Sequence, residues 1–466
     1  MRRIILEGGA TLTNADLHRS GALPKGAVEA AEAIVDAVRA GGDEAVRGYC
    51  LEFDGAAPRS FRVPDDVVAG ALSQVDPRFL AALEKARAQI EDFHRREVRQ
   101  SWFTTRPDGT LLGVKVSPLA SAGIYVPGGR AQYPSTVLMN AVPAKVAGVG
   151  RVVMVTPPQR DGSLSAYTLA AAAVAGVDEV YAVGGAQAVA ALAYGTETIP
   201  RVDKICGPGN AFVAAAKRYV SGDVGIDMIA GPSEVCVLAD DTANPAVVAA
   251  DLMAQAEHDP LAASYLVTTS AALADAVEGA LGLLCAQSPR ADVTLASLDG
   301  QGVVVLCDTP DTAVAAVNRI APEHLELCVS DAVALLGSIR SAGAIFAGHW
   351  SSEPLGDYVA GPNHTLPTGG TAAFSNPLSV DDFTTSSSVV CYSPAGMEAD
   401  AEATQTLAQA EGLWAHALSV GMRRRLLERG PGTPWEELCE DAMAAAWPDT
   451  LSTPGRPELD FETGGE

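Results

Sequence analysis

From about residue 114 onward, short β-branched or apolar runs alternate with alanine-rich stretches of helical length. "RVVMV" (151–155) precedes "SAYTLAAAAVAG", "EVYAV" (179–183) precedes "AQAVAALAYG", and "SEVCVLAD" (233–240) precedes "PAVVAADLMAQAEH". Strands that alternate with helices in this way form βαβ units, in which helices cover both faces of a parallel sheet. The sequence therefore predicts an α/β fold with mostly parallel strands.

The two ends of the chain have a different pattern. Residues 27–53 and 78–100 carry apolar side chains at spacings of three and four, which is typical of amphipathic helices. Residues 401–429 are again predicted to be helical, "GPGTP" ends that helix, and one short helix follows. The final "STPGRPELDFETGGE" is polar and rich in Pro and Gly, so we expect it to be disordered.

Composition narrows the class of protein. The chain has 466 residues, 48% of them hydrophobic, enough to bury the cores of two or more domains. A formal net charge of −25 repels phosphate backbones, so nucleic acid is not an expected partner. The longest apolar stretch, "AYTLAAAAVAGV", falls short of the roughly 20 residues that span a bilayer, and "IIL" near the start is too short for a signal-peptide core. We expect a soluble, cytoplasmic protein without a membrane partner.

The eight cysteines are widely spaced and contain no C-x-x-C pair, which argues against a zinc ribbon or a disulfide framework. Most are expected to be buried as small hydrophobic residues. Cys206, in "KICGPGN", could be an exception to this burial, because the glycine-rich turn after it could expose a reactive thiol. No basic partner lies near it in sequence, so catalysis by this thiolate is the less favoured alternative.

Several histidines stand beside other polar groups. In "ADLMAQAEHDP", Gln255 and His258 are three residues apart near the end of a predicted helix, a spacing that could hold a metal ion or simply form a polar helix end. "LGDYVAGPNHTLPTGG" places Asp357 and His364 in a segment dense with Gly and Pro, which we interpret as a functional loop rather than a solvated turn. Nitrogen and oxygen ligands without cysteine favour zinc in a substrate-binding role.

"RIAPEHLEL" (319–327) sets Glu323 and His324 side by side in an otherwise mostly apolar run. Helix capping or a local ion pair would explain them, and a reactive site is the alternative.

His416, in "EGLWAHALSVG", borders an apolar helical face, so we expect its side chain to be buried or packed against another part of the protein. That part could belong to another subunit. Glu411 lies about 140° from His416 around one continuous helix, so spacing alone does not join the two.

Two glycine-rich segments, "GIYVPGGRAQYPST" and "CGPGNAFVAAAKRYV", lead from a predicted strand into a helix, the place where backbone amides meet phosphate. Neither matches G-x-G-x-x-G. Nucleotide binding and simple tight turns both remain open for these glycines.

Taken together, these segments resemble the histidinol dehydrogenases, zinc-dependent enzymes that oxidise L-histidinol twice to L-histidine with NAD. The resemblance runs from about residue 20 to about 425 and includes "GGAQAVAALAYGT", "KICGPGNAFVAAAKRYV", "IDMIAGPSEVCVLAD", "LMAQAEHDP", "RIAPEHLEL", "GDYVAGPNHTLPTGG" and "EGLWAHALSV". It implies two Rossmann-like parallel-sheet domains, a homodimer, NAD, and one Zn²⁺ per subunit. The implied partner is the small molecule L-histidinol.

The resemblance also implies residue roles. Glu323 and His324 correspond to the catalytic acid–base pair. Zinc would be held by four residues: Gln255, His258, Asp357 and His416. NAD contacts would fall on three residues: Tyr125, Gln187 and Asn210. Substrate contacts would come from Ser233, Glu411, His324 and the four zinc ligands, with Glu411 and His416 reaching the site of the other subunit.

The implied domain division is discontinuous. Residues 1–23 would form an arm, 24–124 with 236–377 a first α/β domain, and 125–235 a second. Residues 378–430 would form a helical dimerisation section and 431–466 a partly disordered extension.

Two rival functions stay open: a related dehydrogenase of the same fold acting on another small alcohol such as a sulfonated diol, and a non-catalytic zinc- or nucleotide-binding regulator. A metallohydrolase is disfavoured because H-E-x-x-H is missing.

Overall fold

The computed structural model of the protein describes residues 1–17, 23–128, 132–159 and 161–444. The tail predicted to be disordered lies outside these residues. The strands are β1 (Arg2–Leu6), β2 (Trp102–Thr105), β3 (Leu111–Pro118), β4 (Ser121–Tyr125), β5 (Arg151–Thr156), β6 (Glu179–Ala182), β7 (Lys204–Cys206), β8 (Gly225–Ile226), β9 (Glu234–Ala239), β10 (Ala263–Thr268), β11 (Val303–Cys307), β12 (His324–Cys328), β13 (Ala344–Ala347) and β14 (Thr384–Cys391).

The α-helices follow the predicted alternation in the α/β region and dominate both ends of the chain. They are α1 (Lys25–Phe53), α2 (Asp65–Gly70), α3 (Pro77–Arg95), α4 (Pro134–Ala147), α5 (Ala166–Ala175), α6 (Gly185–Tyr194), α7 (Ala211–Val220), α8 (Pro245–Ala256), α9 (Ala271–Cys285), α10 (Ala291–Gly300), α11 (Pro310–Ile320), α12 (Ala332–Leu335), α13 (Glu353–Tyr358), α14 (Pro394–Ala410), α15 (Trp414–Arg429) and α16 (Trp435–Ala444).

A five-stranded parallel sheet has the order β6-β5-β4-β7-β8. The chain moves outward from β4 to β6 and then returns to the other side of β4 with β7, so the switch point of the sheet lies between β4 and β7. All five residues of β4 are buried, because α4, α5, α6 and α7 enclose the sheet. In such sheets ligands bind beyond the carboxyl ends of the strands at the switch point.

A six-stranded parallel sheet has the order β1-β11-β10-β9-β12-β13, with its own switch point between β9 and β12. Every residue of β9, β10 and β12 is buried, as expected for the central strands of a parallel sheet covered on both faces. The predicted α/β fold with two parallel sheets is thus confirmed, and the sheet order is added by the structure.

The amphipathic N-terminal helices pack on the five-stranded sheet. Helix α1, which bends at Gly42 (φ +55°), packs against α6 and α7, and α3 packs against α4 and α5. This packing differs from the predicted grouping of residues 24–124 with 236–377. Hydrophobic spacing shows which face of a helix is buried and does not specify which sheet it covers. The domain boundaries themselves stay a prediction.

The described chain divides into two compact units, one of residues 1–99 and 117–385 that holds both parallel sheets, and one of 100–116 with the residues after 385. The second unit contains helices α14, α15 and α16 and most of a three-stranded sheet of order β14-β3-β2, in which β2 and β3 are antiparallel. Within it, Arg106 Nη1 lies 3.0 Å from Asp400 Oδ2.

All eight cysteines lie in the described ranges, and six of them are buried as predicted. Cys206 is among the six: it is fully enclosed, and burial raises the pKa of its thiol well above the usual value. The glycine turn after it therefore does not expose a reactive thiolate. Among the described residues, none of the helices combines the length and apolarity that crossing a bilayer requires.

Candidate functional site

Glu323 and His324 lie where β12 begins, beside the start of β9 in the six-stranded sheet. The backbone of Glu234 holds both side chains. Its N–H donates to Glu323 Oε2 over 2.9 Å, and its carbonyl accepts from His324 Nδ1 over 3.1 Å. A carbonyl only accepts, so the imidazole carries its proton on Nδ1. His324 Nε2 is buried and has no hydrogen-bond partner among the described residues.

Carboxylates surround this imidazole. Asp357 Oδ1 lies 3.6 Å from His324 Nε2, and Glu323 Oε2 and Glu353 Oε1 lie 3.8 and 3.9 Å from Nδ1. Burial alone would lower the pKa of His324, but the three acids outweigh it and raise that pKa well above its usual value. Burial raises the pKa of Glu323 to about 8 and that of Glu353 to about 7. The cluster therefore contains groups that exchange protons near neutral pH.

Helix α8 delivers Gln255 to the same amino edge of the sheet, because the helix runs antiparallel to β9. His258 follows in the turn after the helix, with its N–H on the Gln255 carbonyl (3.2 Å), so only the first of the predicted helical pair is on the helix. Asp357 is on the short helix α13 rather than on a loop, and His364 Nδ1 donates to the Asp357 carbonyl over 3.1 Å. Ser233 immediately precedes β9.

The residues at this edge fit a metal ion. His258, Glu353 and Asp357 have ligand atoms that all lie within 4.8 Å of one another. Gln255 is fully buried, yet neither its amide oxygen nor its amide nitrogen has a partner in the described part of the chain. Burying an amide without a partner is costly, so an oxygen donor left free in this position is suited to a cation. The donor set is nitrogen and oxygen only, as predicted for zinc.

The three residues predicted to contact NAD lie at the carboxyl edge of the five-stranded sheet. Tyr125 ends β4, Gln187 lies in the first turn of α6, and Asn210 is the N-cap of α7, accepting from the amides of Phe212 and Val213. Tyr125 is buried, and its hydroxyl accepts a hydrogen bond from Gly185 N (3.0 Å), which leaves the hydroxyl proton available to a ligand. Gln187 Oε1 is buried without a described partner.

A hydrogen bond joins the segment after α13 to α4, a helix that covers the five-stranded sheet. Asn363, next to His364, donates from Nδ2 to the carbonyl of Met139 on α4 over 2.5 Å. This contact brings His364, and the segment that follows Asp357, next to α4.

Glu411 and His416 belong to the second unit. The sequence was interpreted as one continuous helix here, and that interpretation is wrong. Helix α14 ends before Glu411, Gly412 has φ +73°, and His416 lies in the first turn of α15. The angle computed around a single helix therefore does not apply to this pair.

Two buried acids near the site were missed by the sequence reasoning. Glu353 is four residues before Asp357, a spacing that places both on one helical face and could have revealed it. Glu326 is two residues after His324 and therefore on the same side of β12. It accepts from the Glu353 N–H over 2.7 Å and so holds the start of α13. Burial and the neighbouring Asp251 raise the pKa of Glu326 to about 9.

Two parallel sheets, one with a buried acid–imidazole cluster at its amino edge and the other with polar side chains beyond the carboxyl ends of its strands, are typical of ligand-binding α/β proteins. The comparisons with known proteins are more specific. A family model described as histidinol dehydrogenase matches residues 17–424. The histidinol dehydrogenase of Bacillus subtilis (strain 168) is 52% identical over 396 residues, covering 85% of this chain and 93% of that protein.

The histidinol dehydrogenase of Bacillus licheniformis is 51% identical over 397 residues, again 85% of this chain and 93% of the relative. The crystal structure of histidinol dehydrogenase from Elizabethkingia anophelis superimposes with a TM-score of 0.87 at 33% identity, covering 92% of this chain and 99% of that one. The chain belongs to the histidinol dehydrogenase family, and it is an NAD-dependent oxidoreductase.

Proposed function

We propose that the protein oxidises L-histidinol, through L-histidinaldehyde, to L-histidine with two NAD, in the last steps of histidine biosynthesis in the cytoplasm. The observation that carries the proposal is His324: a buried imidazole whose Nδ1 is fixed on a backbone carbonyl, with Glu323 Oε2 3.8 Å away, and whose Nε2 has no hydrogen-bond partner among the described residues and lies 3.6 Å from Asp357 Oδ1. Family membership supplies the substrate class.

His324 is the proposed acid–base. An alcohol must lose its hydroxyl proton as hydride leaves its carbon, and a neutral imidazole is the side chain best suited to accept that proton near pH 7. The Glu234 carbonyl holds the proton on Nδ1, so the lone pair of Nε2 is directed to the substrate. The surrounding carboxylates raise the pKa of His324, and a divalent cation among them would oppose this shift by repelling the imidazolium.

Glu323 is the proposed activator of water. The aldehyde must be hydrated before it can be oxidised again, so a second base has to take a proton from water. One oxygen of Glu323 is held by the Glu234 amide, which fixes the orientation of the carboxyl group. Burial raises the pKa of Glu323 to about 8, and a carboxylate of that basicity accepts a proton from water more readily than an exposed one.

Gln255, His258 and Asp357 would hold one Zn²⁺ per subunit together with His416. The unpaired buried amide of Gln255 and the close approach of His258 to Asp357 support this assignment. When bound, zinc would orient the substrate through its imidazole and amino nitrogens. Ser233, His324 and Glu411 would complete the substrate contacts, with His364 nearby.

Tyr125, Gln187 and Asn210 would contact NAD, which accepts the hydride. Their position at the carboxyl edge, beside the switch point between β4 and β7, supports the assignment, because ligands of open parallel sheets bind there. The unbonded Gln187 oxygen and the free proton of the Tyr125 hydroxyl are suited to a polar ligand.

A homodimer in which Glu411 and His416 serve the partner's site is part of the proposal. The second unit exposes large apolar side chains on its own surface, and exposed apolar patches commonly mark protein interfaces. These side chains include Trp102 (55% exposed), Phe103 (54%), Leu407 (66%) and Trp414 (52%).

The test is the stoichiometry of NAD reduction by the purified, zinc-loaded protein. Two NADH formed per L-histidinol consumed, with L-histidine as the product, is the expected result. No turnover of L-histidinol would refute the proposal. Turnover of a sulfonated diol instead would support the related dehydrogenase, and NAD or zinc binding without turnover of any alcohol would support a regulator.

A further inference from the structure

A buried ion pair lies beneath the loop that joins β7 to α7. Lys217, on α7, and Asp227, just after β8, form a salt bridge, and their side chains are 3% and 1% exposed. This loop, Gly207 to Asn210, includes Asn210, one of the three residues proposed to contact NAD. Nothing in the proposed chemistry uses either charge.

The pair binds both polar groups of one residue of that loop. Lys217 Nζ donates to the Gly207 carbonyl over 2.9 Å, and Asp227 Oδ2 accepts from the Gly207 N–H over 2.8 Å. Asp227 is itself anchored, because its own N–H donates to the Ile205 carbonyl over 3.2 Å. The position of Gly207 is therefore fixed from both sides by charged hydrogen bonds, which are the stronger kind.

The loop has little freedom to sit elsewhere. Gly207 has φ +110°, and a Cβ there would lie 2.2 Å from the Tyr125 carbonyl oxygen, so its backbone packs directly on the end of β4. The Tyr125 hydroxyl accepts from Gly185 at the start of the β6–α6 segment. Tyr125, the Gly207 loop and the start of α6 are consequently linked, and the ion pair holds one member of this set.

A buried ion pair is a poor way to gain stability, because the cost of removing both charges from water often exceeds their attraction. Apolar side chains would fill the space under α7 at least as well, as its buried neighbours Val213, Ala216 and Val220 do. What apolar side chains cannot do is bind the amide and the carbonyl of Gly207. The ion pair thus fixes the position of the Gly207 backbone, which the surrounding apolar side chains do not.

We propose that Lys217 and Asp227 are positioning residues for the dinucleotide: they hold the Gly207–Asn210 loop in the conformation that receives NAD. The inference rests on the proposed function. It predicts that the pair affects NAD affinity and leaves zinc binding and the affinity for L-histidinol unchanged, since none of the residues proposed for those two sites lies in the Gly207–Asn210 loop or on α7.

The test compares Lys217→Met with the zinc-loaded wild-type protein by calorimetric titration with NAD. We expect the Kd for NAD to rise about tenfold or more, with a parallel rise in KM for NAD, because a displaced loop weakens every contact that it carries. The zinc content and the KM for L-histidinol should change less than twofold. Lys217→Arg, which keeps the charge and the donors, should recover part of the NAD affinity.

Lys145→Met is the matched control. Lys145 Nζ pairs with Asp178 Oδ2 (2.6 Å) at the amino edge of the same sheet, and Asp178 also binds a backbone amide, that of Val152. This pair lies at the amino edge of the sheet, whereas the Gly207–Asn210 loop lies at the carboxyl edge. Its loss should therefore leave NAD affinity within twofold of wild type. A general loosening of the sheet would instead weaken NAD binding in both variants.

An unchanged Kd for NAD in folded Lys217→Met would overturn the inference. If that variant does not accumulate as folded protein, Asp227→Asn decides, since it keeps the side-chain size and an acceptor for Gly207 while removing the salt bridge. A several-fold rise in Kd is expected, and wild-type affinity would overturn the positioning role. If the wild-type protein itself does not bind NAD, the proposed function fails before the ion pair is tested.

Discussion

Replacing Glu323 by Gln should separate the two oxidations. The Gln side chain keeps an oxygen that can accept from the Glu234 N–H (2.9 Å in the native protein) and keeps the volume of a 5% exposed residue. We therefore expect the free energy of unfolding to change by no more than about 1 kcal/mol. The amide, however, cannot accept a proton from water. Loss of one general base slows its step by about 10²–10⁴-fold, or about 3–5 kcal/mol of activation free energy.

Stopped-flow absorbance of NADH is the assay. With Glu323→Gln in excess over L-histidinol, one NADH per substrate should form at nearly the wild-type rate, and the second should form slower by that factor. Glu323→Ala is the stability control: it leaves the Glu234 N–H without its partner, which costs about 1–3 kcal/mol in addition to the cavity. Equal slowing of both phases in Glu323→Gln would refute the assignment of water activation to this carboxylate.

Other predictions follow from the same geometry. Removing zinc with a chelator should abolish turnover, and adding Zn²⁺ should restore it; full activity after metal analysis shows complete removal would contradict a zinc site. Because only the ionised carboxylate accepts a proton, and burial raises the pKa of Glu323 to about 8, the second oxidation in the wild-type protein should accelerate as pH rises toward 8, and a flat stopped-flow pH series would argue against this base. Gly207→Ala should lower the free energy of unfolding by at least about 2 kcal/mol, because φ is +110° and the new Cβ would meet a backbone oxygen at 2.2 Å. Gly8→Ala, at φ +60° with open space around it, should cost about 1 kcal/mol, and equal losses in chemical denaturation would show that the close contact is unimportant.

Much of the fold followed from local pattern. The β-branched runs became buried parallel strands, and the alanine-rich stretches became the helices that cover them, because a strand enclosed on both faces has few alternatives to an apolar sequence. The strand pair β2–β3 was not anticipated. All of β2 is exposed, and β3 is mostly half-buried with a single buried residue, so no buried face imposes an alternation that could be recognised.

The site was only partly accessible to sequence reasoning. "PEHLEL" and "QAEHDP" stood out because polar residues interrupt apolar runs. Glu353 was not recognised, although its spacing from Asp357 was visible, because a carboxylate after two serines is typical of a solvated helix start. That it is 2% exposed depends on β12 and α8, which lie elsewhere in the chain. The break at Gly412 was missed because glycine within a helical pattern is often tolerated.

Strand β1 pairs with β11, about 300 residues later in the chain. During synthesis the first strand therefore emerges long before any partner exists for it, whereas every strand of the five-stranded sheet lies between residues 121 and 226. At about 5–20 residues per second, β1 waits roughly 15–60 s for its place in the sheet. The five-stranded sheet can consequently form on the ribosome while the edge that carries Glu323 and His324 is still incomplete.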